Sequence, residues 1–245
     1  MRVLLLGGTR GIGRAIAREL AQRADDVFLL GRSSGDCARS VADLCVTAPA
    51  ARIASGVCDL DAPETFAAAI GSARAFLGKI DVAIVAAGAF GTQEELEDDF
   101  ALRDCVLRTN FTNTIHFCES VRPALLEGGG GTLCVLSSVA AVRPRRRIVL
   151  YGASKAGLSY YAEGIDHRFR AQGLRTVVVE PGFVRTAMTA GLPEPPFAAD
   201  PERVARGVLR AIDRRAPLAR VPRVWALVAA VLRRVPRVLL RRLDF

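Results

Sequence analysis

The chain has 245 residues, a net charge of +9 and 51% hydrophobic residues, which suits one α/β domain that buries its own core without disulfides or a structural metal. No apolar run reaches the roughly eighteen residues that a membrane-spanning helix needs. The six cysteines, at 37, 45, 58, 105, 118 and 134, form no C-x-x-C pair and have only His116 and His167 as companions, so no metal cluster is read and buried thiols of a reducing, cytoplasmic compartment are expected.

Short apolar runs alternate with longer helical patterns from end to end, which predicts an α/β protein with a single doubly wound parallel sheet and helices on both faces. Strands are expected near 2–6, 27–31, 52–58, 80–86, 132–137 and 175–180, with helices beginning near 11, 37, 62, 100, 151 and 201. The first run, Val3 to Leu6, is too short for a signal-peptide core and meets glycines instead of a cleavage site. Gly7-Gly8-Thr9-Arg10-Gly11-Ile12-Gly13 then opens the first helix. Glycines at 7, 11 and 13 let the backbone approach a pyrophosphate held on free N–H groups at the helix's positive end, with Thr9, Arg10 and Ile12 lining the turn.

The second strand ends in Gly31-Arg32-Ser33-Ser34, where an NAD enzyme would present an acid to the ribose 2′-hydroxyl. Arg32 offers a donor fork suited to a 2′-phosphate, with Ser33 beside it and Arg10 approaching from the glycine turn. NADPH is therefore expected in preference to NADH. Asp59, in Cys58-Asp59-Leu60 at the end of the third strand, either accepts from an adenine amine or caps the next helix. Gly128 to Gly131 reads as a turn before the fifth strand, since no helix follows it to hold an anion.

Ser138 stands at the end of the fifth strand, thirteen residues before Tyr151. Tyr151 and Lys155 are four apart and share one helix face. A phenol is a poor acid–base group at neutral pH, but a neighbouring cation lowers its pKa, and Lys155 supplies that cation. The Ser138 hydroxyl can donate to a carbonyl oxygen as negative charge develops.

Taken together, these residues resemble the short-chain dehydrogenase/reductase family over nearly the whole chain. Gly7-x-x-x-Gly11-x-Gly13, Asn110, Ser138, Tyr151-x-x-x-Lys155 and Pro181-Gly182 with Thr186 stand in the family's order and spacing. The resemblance implies a Rossmann-type sheet, with Tyr151 as general acid in ketone reduction and Ser138 polarising the carbonyl. By the same resemblance Lys155 contacts ribose and phenol, and Asn110 holds the water of a proton relay. It also implies cofactor contacts from Ala87 and Gly88, and nicotinamide contacts from the segment that includes Pro181, Gly182, Val184 and Thr186. Two positions depart from the pattern: Val85-Ala86-Ala87-Gly88 replaces the usual Asn-Asn-Ala-Gly, and Ala141 stands where a glycine commonly follows the serine. A homo-oligomer through the helices near 100–127 and 151–172 is implied as well.

A closer resemblance, to the reductases of decaprenylphosphoryl-2-keto-ribose in actinobacterial cell-wall synthesis, is carried by Leu4 to Thr9, Asp81 to Ala86, Arg143 to Arg147, Val184 to Met188, Val224-Trp225 and Val235-Pro236. It implies a polyprenyl-phosphoryl 2-keto-pentofuranose as substrate and a flavin-dependent oxidase as supplier. Arg143, Arg145 and Arg146 lie between Ser138 and Tyr151, where they could hold a phosphate or form a solvated basic loop.

Residues 1–221 are read as the reductase domain and 222–245 as a basic amphipathic extension of it. Nine arginines between Arg214 and Phe245 face only Asp244, so +8 of the charge of +9 sits in that stretch. Such a tail either lies on an anionic membrane surface or packs on the sheet edge with its arginines turned outward. Its arginines interleave with aliphatics and not with aromatics, which argues against nucleic acid as partner. The competing functions are a carbonyl reductase for an acyl or secondary-metabolite ketone and a cofactor-sensing, membrane-associated protein without chemistry; intact Ser138, Tyr151 and Lys155 weigh against the latter.

Overall fold

The computed structural model describes residues 1–241, and residues 242–245, including the Arg242 and Asp244 counted in the tail, lie outside the described residues. The elements run β1 (Arg2–Leu6), α1 (Gly11–Gln22), β2 (Asp26–Gly31), α2 (Ser34–Thr47), β3 (Ile53–Val57), α3 (Phe66–Leu77), β4 (Val82–Val85), α4 (Gln93–Asp98), α5 (Phe100–Leu107) and α6 (Asn113–Glu127). They continue with β5 (Gly131–Leu136), α7 (Val149–Phe169), β6 (Leu174–Pro181), α8 (Pro201–Asp213), β7 (Leu218–Val221), α9 (Val224–Arg234) and α10 (Arg237–Leu240). The strands form one sheet in the order β3-β2-β1-β4-β5-β6-β7, parallel at every pairing.

Helices cover both faces, so the central strands are apolar on both sides: Val3 to Leu6 and Val82 to Val85 are buried at every position. Alternation divides them between two cores. Val3 and Leu5 pack with Ile16 and Leu20 of α1 and Val204 and Val208 of α8. Leu4 and Leu6 pack with Phe66 of α3, Phe117 of α6 and Leu158 of α7. The chain first winds outward from β1 to β3 and then crosses to β4 on the other side, which leaves a crevice at the carboxyl ends of β1 and β4.

Several expectations need correction. A seventh strand, β7, was not anticipated; Leu-Ala-Arg-Val is short, and its arginine breaks the apolar run. The helix α4 was also missed, although Thr92 and Glu95 form a reciprocal capping box at its start. The helix expected near 100 is divided by a π-type turn over Arg108–Thr112, which carries Asn110. Asp59 accepts from the N–H of Asp61 at 3.0 Å, and the following short helical turn begins at Pro63 behind Ala62, so Asp59 is not a helix cap. Cys37, Cys58, Cys118 and Cys134 are buried as expected, but Cys45 is exposed and Cys105 half-buried. Among the described residues no helix is long and apolar enough to cross a membrane.

Candidate active site

At the carboxyl end of β1 the chain turns through Gly7 at φ +85° and Gly11 at φ +51°, a region costly for other residues. Space matters equally. A Cβ on Gly7 would lie 2.6 Å from the Ala87 nitrogen, and one on Gly13 would lie 2.0 Å from the Gly7 oxygen. The turn, α1 and the Ala87–Gly88 segment can therefore interlock only without side chains. Arg10 at the N-cap makes no side-chain cap, and the first turn of α1 holds no acid. Its N–H groups and positive end are thus available to an anion, and the cradle fits a dinucleotide pyrophosphate. Thr186 stands across the opening: its Cγ2 is 3.5 Å from where a Gly11 Cβ would be.

Toward the adenosine side, Leu60 is buried and Thr9 packs against Gly31. Arg32 is exposed and, among the described residues, has no ion-pair partner. Ser33 is the N-cap of α2 and accepts from the N–H of Asp36 at 3.2 Å. The Arg10 guanidinium pairs with Asp36 at 2.8 Å, and Arg39 pairs with the same carboxylate.

Tyr151 lies in the first turn of α7, where the Leu150 N–H donates to the Gln93 side chain at 3.1 Å. The Tyr151 ring meets Phe90 edge-on, with centroids 5.1 Å apart. Burial pushes its phenol up to about 12, opposed by a hydrogen bond from Ser138. The expected lowering by Lys155 is not what the protein alone provides. Lys155 is 4% exposed, and its Nζ donates to the Leu136 carbonyl at 3.0 Å and lies 5.9 Å from the Tyr151 ring centre. Burial brings its pKa down to about 8, so near neutrality the ammonium is still the major form.

Ser138 accepts from the Ala140 N–H at 3.1 Å, which leaves its proton for a substrate oxygen or for Tyr151. Asn110 is fully buried. Its side chain accepts from the Ala89 N–H at 2.8 Å and donates to the Ala89 carbonyl at 2.8 Å and Ser154 Oγ at 3.4 Å. The side chain is thus engaged with protein, and it positions the segment after β4 that carries Gly88.

A family model described as short chain dehydrogenase matches residues 1–196. The chain belongs to the short-chain dehydrogenase family. An uncharacterized oxidoreductase of Mycobacterium tuberculosis is 34% identical over 246 residues, covering 99% of this chain and 96% of its own. Carbonyl reductase family member 4 of Xenopus laevis is 30% identical over 217 residues, covering 84% and 88%. The structure of actinorhodin polyketide ketoreductase with NADPH superimposes with a TM-score of 0.80 at 23% identity over 89% of this chain and 94% of its own, a likeness of fold. As a short-chain dehydrogenase the chain is an NAD(P)-dependent oxidoreductase.

Other parts of the short-chain dehydrogenase's cleft differ from the sequence reading. Arg143 donates to the Val235 carbonyl at 3.2 Å, so it ties the basic loop to the C-terminal helices, while its Nε is buried without a partner. Arg145 turns inward, where burial lowers its pKa. Arg146 is exposed. Val184 is buried, which restricts it to backbone contact, and Pro181 and Gly182 close β6 beneath Trp225: a Cβ on Gly182 would lie 2.0 Å from the indole Nε1. Gln93, Phe90 and Ser154 are absent from the sequence reading, which has Trp225 only in the C-terminal tail and not at the cleft. Only Gln93 carried a signal, as the first residue after the capping threonine of α4.

Proposed function

We propose that the chain reduces a ketone to a secondary alcohol with NADPH, through Tyr151 as proton donor. The observation that carries this reading is the convergence of Ser138, Tyr151 and Lys155 beside a glycine cradle. The nicotinamide, when bound, supplies the hydride. Gly7, Gly11, Gly13 and the start of α1 would hold the cofactor's pyrophosphate, and Arg32 its 2′-phosphate. With its phenol at about 12, Tyr151 stays protonated at neutral pH and can pass its proton to the carbonyl oxygen. Ser138 donates a hydrogen bond to that same oxygen. The Lys155 ammonium, one helical turn away, offsets the charge left on the phenolate.

The substrate we propose is decaprenylphosphoryl-2-keto-ribose, reduced to its arabinose form, with a flavin-dependent oxidase as supplier. This reading is supported by Arg146 and the remaining donors of Arg143 near the cleft, and by apolar side chains on the outward side of α9 and α10, Leu227, Val231, Val238 and Leu239, all more than half exposed. Those side chains, among arginines, also support association with an anionic membrane surface. Phe100 and Tyr160, 71% and 83% exposed on α5 and α7, support a homo-oligomer through these helices. The carbonyl reductase relative favours a second reading, an acyl or secondary-metabolite ketone.

Purified protein with NADPH and each ketone class tests both, followed by loss of NADPH absorbance and product chromatography. Turnover of the lipid-linked keto-sugar is expected, with Tyr151→Phe slower by about 100-fold or more. Brisk reduction of an unphosphorylated ketone without turnover of the keto-sugar would overturn the substrate, and an undiminished Phe variant would overturn the proton donor.

A further inference from the structure

Away from the catalytic cleft, the outer edge of the sheet carries a concavity of about 480 Å³ between α8, β7 and the start of α9. Close packing shapes it. A Cβ on Gly207 would lie 2.5 Å from Val221 Cγ1, so only glycine lets α8 approach β7 this closely. Arg203 and Arg210 line it from α8 and Arg214 from just past that helix's end, with Arg220 from β7 and Arg223 at the entry to α9. Arg220 is matched by the buried Glu180 at 2.7 Å. Arg203, Arg210, Arg214 and Arg223 have no ion-pair partner among the described residues. Of the nearby acids, Asp213 pairs with Arg23, Glu19 with Arg206 and Asp200 with Arg185, and Glu202, beside Arg203 on α8, does not line the concavity.

No carboxylate lines the concavity, so its positive potential is not neutralised from within. Guanidinium forks converging there suit a phosphate, which each can bind through two parallel hydrogen bonds. The side of α9 that borders the groove carries Ala226, and Arg233, seven residues on, projects within about 20° of it. The outward side of the same helix bears Leu227 and Val231, 68% and 56% exposed. Cationic groove and exposed aliphatics are the two halves of an amphiphile's complement.

We propose that this groove seats the phosphate headgroup of an anionic phospholipid, with α9 lying along the membrane surface. The inference is independent of which ketone is reduced. It also places the decisive charge on α8, its C-terminal end and the entry to α9, not on the last residues of the tail.

Flotation of the full chain with phosphatidylcholine vesicles, with or without phosphatidylglycerol, tests it. An arginine at an anionic surface contributes roughly a fivefold change in affinity. The triple variant Arg203→Gln, Arg210→Gln, Arg214→Gln is therefore expected to lose about 100-fold in binding to the anionic vesicles, with NADPH oxidation and melting temperature unchanged. Arg210→Gln alone, at an exposed helix position, is expected to lose about fivefold by the same rule, which keeps the test valid if the triple variant folds poorly. A tail variant of equal charge beyond α9, Arg237→Gln, Arg241→Gln, Arg242→Gln, is expected to lose clearly less, because it removes no bidentate contact to the seated phosphate. Equal losses in the groove and tail variants, or none in the groove variant, overturn the proposal. Calorimetric titration with glycerol phosphate separates the other source of the same chemistry: tight binding of the soluble phosphate, lost in the groove variant while vesicle binding persists, overturns the lipid assignment.

Discussion

Replacing Lys155 with Met removes an ammonium from a site where it is 4% exposed and where burial has lowered its pKa from 10.5 to about 8. At about 1.36 kcal/mol per pKa step, the folded state bears about 3 kcal/mol of disfavoured charge. Methionine has similar length and suits an apolar surrounding. Against the gain stands the Leu136 carbonyl, which loses its donor at 3.0 Å and costs about 1–2 kcal/mol if left unpartnered. The variant is thus expected to be about 1–2 kcal/mol more stable at pH 7, with each kcal/mol raising the melting temperature by about 2–4 °C.

The sign with pH follows from proton counts. Between about 8 and 10.5 the unfolded chain holds the Lys155 proton and the folded chain does not. This group's contribution to the parent's stability therefore rises with pH across that window. The variant lacks the rise, so its advantage narrows from pH 7 to pH 10. Urea unfolding of both proteins at the two pH values measures the gap, and turnover is expected to collapse in the variant. A methionine variant no more stable at neutral pH, or a gap that stays constant, would refute the reasoning.

Two further outcomes follow from the nucleotide cradle. Gly13→Ala places a Cβ 2.0 Å from the Gly7 carbonyl; it is expected to cost about 1–3 kcal/mol or more of stability and to weaken NADPH and NADH alike, and an unchanged melting temperature and cofactor affinity would contradict the packing account. Arg32→Ala is expected to raise the NADPH dissociation constant about tenfold, the scale of a charge-assisted contact, and to leave NADH binding unchanged; calorimetry with both cofactors checks this, and equal affinities in the parent would defeat the assignment.

What was legible in the sequence was local. The glycine turn, the strand-end Ser138 and the Tyr151–Lys155 spacing each depend on backbone geometry over a few residues, and pattern reveals them. The pairing of Arg10 with Asp36 was not legible because the two lie 26 residues apart, the acid on a helix whose orientation only the fold determines. The Tyr151 phenol was misjudged for a similar reason. Four-residue spacing puts Lys155 on the same face, but burial of both groups and the Leu136 carbonyl decide where the ammonium points. Gln93 supports α7 across 57 residues, and no motif links the two. The strand β7 escaped notice because Arg220 interrupts it, and Arg220 is tolerated there only because Glu180 on the adjacent strand meets it.

The C-terminal helices are tied to the catalytic cleft at three points. Trp225 covers Gly182 so closely that an added Cβ would reach within 2.0 Å of its Nε1, and its ring meets Phe197 edge-on at 6.5 Å. Further along, the Val235 carbonyl accepts from Arg143 of the loop that joins Ser138 to Tyr151. Beneath both, Glu180 precedes Pro181 and pairs with Arg220 of β7, close enough to Arg233 for the cation's field to reach it. Deleting residues 222–245 would remove the cover of the segment assigned to the nicotinamide and the acceptor of Arg143 along with any lipid-facing surface. Loss of vesicle binding in such a truncation would then be inseparable from a disordered cleft. Point substitution of exposed arginines leaves Trp225 and Val235 in place, so a change in lipid affinity with unchanged turnover can be assigned to the surface alone.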